Sequence, residues 1–197
     1  MAGTGSEPTN WVWVEAIKVD REPAAFIKTA ARFDGSSHLE IPRFANSYAT
    51  WTQFAVSFCY KRDSNGGTAT QGLVTNGNCF ATASISITSG QGVISARFTT
   101  RSGTVTISEI VAADDAWHHV DLSYDGTQVH LCVDGTCHFM GNSKGPISER
   151  QCAMVIGRLE VSGTGFTGLM DELCFYGKAL PRGAVKKLQD KYFPDTA

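Results

Sequence analysis

The sequence predicts an all-β protein: two antiparallel sheets packed as a sandwich, closed by one short C-terminal helix. Three observations carry the prediction. Short stretches in which large apolar residues alternate with small or polar ones follow one another along most of the chain. Gly, Asn, Asp and Ser separate them, which is the pattern of half-buried strands joined by turns. A single segment, Pro181 to Lys191, carries helix signals, with proline in the first turn and apolar Val185 and Leu188 three apart. The 197 residues are 42% hydrophobic and include 11 Phe, 5 Tyr and 4 Trp, which suffices for one sizeable core.

In chain order, residues 1–9 are polar and glycine-containing and read as a disordered tail, leaving 10–197 as one domain. Trp11-Val12-Trp13-Val14 opens it either as an extra edge strand or as an adhesive patch. Strands are expected at His38 to Ile41, Phe54 to Lys61, Gly72 to Thr75, Phe80 to Thr88, Val93 to Thr100 and Thr104 to Val111. Others follow at Trp117 to Tyr124, Gln128 to Val133, Cys137 to Met140, Ala153 to Gly157 and Gly168 to Tyr176. In Phe54-Ala55-Val56-Ser57-Phe58-Cys59-Tyr60 the large side chains share one face, so Cys59 points away from the core. Gly90-Gln91-Gly92, Arg101-Ser102-Gly103 and Asp125-Gly126 read as hairpin turns, and Asp63-Ser64-Asn65-Gly66-Gly67 as a longer polar loop. The helix packs as a closing cap.

A net charge of −2 with both signs scattered excludes the concentrated basic face that a nucleic acid or an anionic membrane requires. No run of roughly eighteen apolar residues occurs, so membrane insertion is not expected. The opening Met1-Ala2-Gly3-Thr4-Gly5-Ser6 lacks the basic-then-apolar layout of a signal peptide, and fits either a cytosolic start or an excised domain of a secreted protein. Six cysteines permit three disulfides. Asp134-Gly135 is a strong two-residue turn that sets Val133 opposite Thr136 and Cys132 opposite Cys137, in a non-hydrogen-bonded pair where a bridge can form. In a reducing compartment both would be free thiols. No Cys spacing suits structural zinc.

Three segments, in order, resemble the laminin-G-like, concanavalin-A-like lectin superfamily. The first is Ala31-Arg32-Phe33-Asp34-Gly35-Ser36-Ser37-His38-Leu39-Glu40-Ile41-Pro42, followed by Phe54-Ala55-Val56-Ser57-Phe58. The second is Ala116-Trp117-His118-His119-Val120-Asp121-Leu122-Ser123-Tyr124-Asp125-Gly126, with Val133-Asp134-Gly135 after it. The third is Ile156-Gly157-Arg158, then Phe166-Thr167-Gly168-Leu169-Met170-Asp171-Glu172-Leu173-Cys174-Phe175-Tyr176 and the terminal helix. The resemblance implies an antiparallel jelly-roll sandwich. It also implies binding of a glycan or a glycosylated extracellular partner, without catalysis and in a secreted setting. Fold alone does not select among lectins, adhesion modules and enzyme appendages.

Residues follow from the same resemblance. Related jelly rolls hold a structural calcium between a closing-strand acid and the opening turn, here Asp171 with Asp34 and Gly35. The alternative is that both acids only accept hydrogen bonds from nearby amides. At the rim, where laminin-type domains hold a second calcium, this chain offers the amides Asn76 and Asn78, which are poor calcium anchors. The stretch after Gly157 lacks the clustered acids of pentraxin-like domains. Asn76, Asn78, Arg101 and Glu160 on rim loops are the candidate ligand contacts, since amides and a guanidinium match sugar hydroxyls, although turn-forming residues there can equally be solvated. Cys59 with Cys174 is implied as a cross-strand bridge, and Cys79 with Cys152 would complete three.

His118 and His119 alternate faces, one packed and one exposed, and His130 and His138 flank the cysteine hairpin at a solvated edge. A glycoside hydrolase on this scaffold would need acids alternating along one strand; Asp171 and Glu172 are adjacent and point to opposite faces. A protein-binding module using Trp11-Val12-Trp13 or a sheet edge is the third reading.

Overall fold

A computed structural model describes residues 19–20, 30–42, 51–67, 69–76, 84–90, 92–111, 115–148, 153–159 and 164–193. In chain order the strands are β1 (Val19–Asp20), β2 (Ala30–Asp34), β3 (Leu39–Ile41), β4 (Phe54–Arg62), β5 (Gln71–Thr75), β6 (Ile85–Gly90) and β7 (Val93–Thr100). They continue with β8 (Gly103–Ile110), β9 (Trp117–Tyr124), β10 (Gln128–Val133), β11 (Thr136–Asn142), β12 (Met154–Ile156) and β13 (Thr167–Tyr176), then helix α1 (Arg182–Tyr192). One sheet runs β1-β2-β13-β4-β9-β10-β11 and the other β3-β12-β5-β6-β7-β8, every pairing antiparallel. This is the jelly-roll sandwich the sequence predicts. Trp11 to Val14 and residues 1–9 lie outside the described residues, as do Phe80 to Ala83 of the strand expected there.

The core follows from period-two alternation. Phe54, Val56, Phe58 and Tyr60 of β4 meet Val120, Leu122 and Tyr124 of β9 on one side and Leu73, Ile85, Ile87, Ile94 and Phe98 of the other sheet. Phe98 and Tyr124 touch across the gap at 5.0 Å between ring centroids. Each such fully buried side chain contributes roughly 1.5–3 kcal/mol, so the sandwich is held mainly by this layer.

The opposite face of the seven-stranded sheet is covered too. Helix α1 starts after Pro181, has Lys191 in its last turn, buries Val185, and sets Tyr192 into a second cluster with Ala30, Cys59 and Leu169 against which Leu188 packs. Cys59 therefore points away from the main core, as expected, yet is fully buried. The histidine pair departs from the expectation of one packed and one exposed ring, since both are buried: His118 is 4% and His119 1% exposed. His118 packs on Tyr60 at 5.5 Å and bonds Asp134 Oδ2 through Nδ1 at 2.7 Å. His119 lies under Tyr192 and meets Ser57 Oγ through Nε2 at 2.8 Å.

The Asp134-Gly135 turn has positive φ at both residues, 49° and 79°, which selects Asp and Gly there. It produces the expected register, and Cys132–Cys137 is a disulfide. The bridge closes a separation of only five residues, so removing it as Cys132→Ser/Cys137→Ser is expected to cost about 2 kcal/mol in urea unfolding. An unchanged midpoint would contradict that value.

The implied Cys59–Cys174 bridge is corrected. A bulge in β13, with Glu172 at φ 55°, sets Asp171 opposite Cys59 and Cys174 opposite Ser57. The two cysteines are therefore diagonal neighbours and do not stand opposite each other, and both are free thiols. Cys79 and Cys152 lie outside the described residues. No helix among the described residues is long and apolar enough to cross a membrane.

Candidate functional site

The outer face of the six-stranded sheet collects polar side chains. Along β7, Ile94, Ala96 and Phe98 are buried, so Ser95, Arg97 and Thr99 point outward; along β8, Thr104, Thr106 and Ser108 are the exposed alternates. Register aligns them in rows. Thr88, Ser95 and Ser108 form one, Ser86, Arg97 and Thr106 the next, and Thr99 with Thr104 a third. Ser95 and Ser108 hydroxyls lie 2.8 Å apart, and those of Thr99 and Thr104 3.0 Å.

This floor has a wall. The backbone of Arg158 and Leu159 crosses over β5 so closely that a Cβ on Gly72 would lie 2.2 Å from Arg158 C, and Thr75 Oγ1 donates to Arg158 O at 3.1 Å. Residues on β6 and β7 are half-buried, whereas those on β8 are exposed, so the floor opens toward β8. Ser and Thr hydroxyls both donate and accept, which suits a polyhydroxylated ligand.

Arg97 sits in the middle of the floor. Its Nε is buried without a hydrogen-bond partner. Glu40 shares its row, which runs Glu40, Val155, Thr75, Ser86, Arg97, Thr106, but stands four strands away, roughly 19 Å. Among the described residues no carboxylate pairs with the guanidinium.

The residues singled out from the sequence fare differently. Asn76 is buried, not a ligand contact: its Oδ1 accepts the Ile85 N–H at 2.9 Å and closes the β5–β6 connection. Arg101 is exposed in the β7–β8 turn, at one end of the floor. Asn78 and Glu160 lie outside the described residues.

The calcium set does not fit. Asp34 Oδ1 takes donors from the backbone and hydroxyl of both Ser36 and Ser37, which holds its carboxyl well below the usual range. Asp34 pairs with Thr167, and Gly35 donates its N–H to Phe166 O at 2.9 Å. Asp171 lies four residues further along β13, roughly 13 Å away, with Oδ1 accepting the Glu172 N–H at 2.8 Å. Among the described residues no group of three acids, histidines or cysteines is gathered for a metal.

A second concavity, of about 450 Å³, lies between the sheet edges β8 and β11 and is lined by Glu109, Asp134, Thr136 and His138 among others. His138 Nδ1 approaches Glu109 Oε1 at 3.3 Å, and Asp134 is committed to His118 and to the His119 N–H. The Ser57–His119 contact resembles a nucleophile and base, but both residues are sealed beneath α1, and burial lowers the His119 pKa.

The structural neighbours agree with this architecture. Domain 4 of AbnA, a GH43 extracellular arabinanase from Geobacillus stearothermophilus, in complex with arabinotriose, is similar at TM-score 0.64 and 19% identity, covering 89% of this chain and 82% of that one. The CBM40 of a Ruminococcus gnavus IT-sialidase bound to α2,3 sialyllactose matches at TM-score 0.63 and 13% identity, covering 81% and 96%. The binding domain of Paraclostridial Mosquitocidal Protein 1 matches at TM-score 0.62 and 15% identity over 90% of this chain but 48% of that one. No curated protein sequence matches. The model of a laminin-G-type family described as "Concanavalin A-like lectin/glucanases superfamily" matches residues 33–186, and the chain belongs to that superfamily.

Proposed function

We propose that the protein is a non-catalytic carbohydrate-binding module whose ligand lies on the outer face of the six-stranded sheet. The observation that carries this is the register of hydroxyls around Arg97 on β6, β7 and β8. Two neighbours of the same fold hold oligosaccharides, arabinotriose and α2,3 sialyllactose, in the named complexes. Glycoside hydrolysis uses two carboxyls about 5–9.5 Å apart, and the acid this face offers among its described strand residues, Glu40, is isolated at the far edge. The Cys132–Cys137 bridge favours an extracellular setting. The partner is then a free glycan or a glycosylated extracellular protein.

A panel of immobilised glycans tests the reading. At least one binder is expected, and Thr106→Gln, at the exposed edge of the floor, should weaken it about tenfold, the scale of one lost hydrogen bond and some crowding. His138→Ala, in the cleft between sheet edges, should leave affinity unchanged. The reverse pattern moves the ligand to the cleft. Shortening of any bound oligosaccharide on incubation overturns the non-catalytic assignment.

A further inference from the structure

A hydroxylated floor suits sugars in general, but an unneutralised guanidinium at its centre does not. We propose that the ligand carries a carboxylate, as sialic and uronic acids do, and that Arg97 receives it; this rests on the outer face being the glycan site. Arg97 is the one charged side chain among the outward positions described on β6, β7 and β8. It projects from an interior strand, flanked by Ser86 and Thr106 in its row and by Ser95 and Thr99 two residues away on β7. Its buried Nε–H lacks an acceptor, which is costly for a charged group and is relieved when an oxyanion binds. A planar carboxylate matches the guanidinium fork with two parallel hydrogen bonds, and the surrounding hydroxyls remain to hold the ring. A neutral sugar on the same floor would desolvate the guanidinium further and leave it unpaired. Glu40, the acid in that row, is four strands away and does not compete.

Matched ligand pairs test this by titration calorimetry: α2,3-sialyllactose against lactose, and an oligogalacturonide against its carboxyl-reduced form. In at least one pair the acid should bind about ten- to a hundredfold more tightly, the range for a hydrogen bond to a charged group. Arg97→Met and Arg97→Gln should each bring that ratio to about one, with the fold confirmed by circular dichroism. Equal affinities within every pair that binds, or a preference that survives both substitutions, overturns the inference while leaving the carbohydrate-binding reading intact. Absence of binding by every member of both pairs, together with a blank on the wider panel, overturns both.

Discussion

Replacing Asp121 by asparagine is expected to raise the melting temperature by about 10 °C at pH 8 and by less than about 2 °C at pH 4. Asp121 lies on β9 between Ser57 and Cys132, on the sheet face turned toward α1, at 0% exposure, and neither carboxyl oxygen has a hydrogen-bond partner. Burial pushes its pKa up from 3.8 to about 8. Below 3.8 the carboxyl is protonated in folded and unfolded chains alike, and its charge has no influence on stability. Between 3.8 and about 8 the unfolded chain releases the proton and the folded chain keeps it, so stability falls as pH rises, by about 1.4 kcal/mol per unit. At pH 7 the accumulated penalty is about 4 kcal/mol, and asparagine, being neutral, removes it. The expected readout is a flattened stability profile across that window. A profile with the wild-type slope would mean that Asp121 is not the group responsible.

Gly157→Ala is expected to destabilise by about 2–5 kcal/mol, lowering the melting temperature by roughly 5–15 °C. Gly157 has φ 83°, and a Cβ there would lie 2.3 Å from Cδ1 of Phe33, a core ring that is 2% exposed. Its backbone cannot yield easily, because the N–H donates to Leu73 O at 2.9 Å and the carbonyl accepts from Phe166 at 2.8 Å. Arg158, the next residue, forms the wall over Gly72, so the same substitution should also weaken ligand binding. Gly183→Ala is the control: it sits in α1 with nothing near its Cβ, and should stabilise by about 0.5–1 kcal/mol. Equal effects at the two positions would contradict the packing account.

What was legible in the sequence is what alternation and turn chemistry encode. Asp134-Gly135 predicts its register and the Cys132–Cys137 bridge because both are local. Pro181 and the spacing of Val185 and Leu188 place the helix. The burial of Cys59 and His119 was not legible, because it depends on where α1 lies over the sheet, which no local pattern states. The Cys59–Cys174 pairing fails on register: Asp171 stands opposite Cys59 and Cys174 opposite Ser57, and which residues of two strands distant in sequence face each other is not written in the periodicity of either. Asn76 was assigned to the rim because loops commonly carry ligands; in the fold its amide closes a strand connection. The signal for Arg97 was present as Ser95, Arg97 and Thr99 alternating against Ile94, Ala96 and Phe98. Its meaning emerges only when β6 and β8 bring further hydroxyls into the same rows.

The most direct test of the central claim is amide chemical-shift mapping of the labelled protein against the best ligand from the glycan panel. Shifts concentrated at Ser86, Thr88, Ser95, Arg97 and Thr106 are predicted, since the ligand is assigned to the floor of the six-stranded sheet. Shifts confined to Glu109, Asp134 and His138 would place the ligand in the cleft between sheet edges and contradict the assignment.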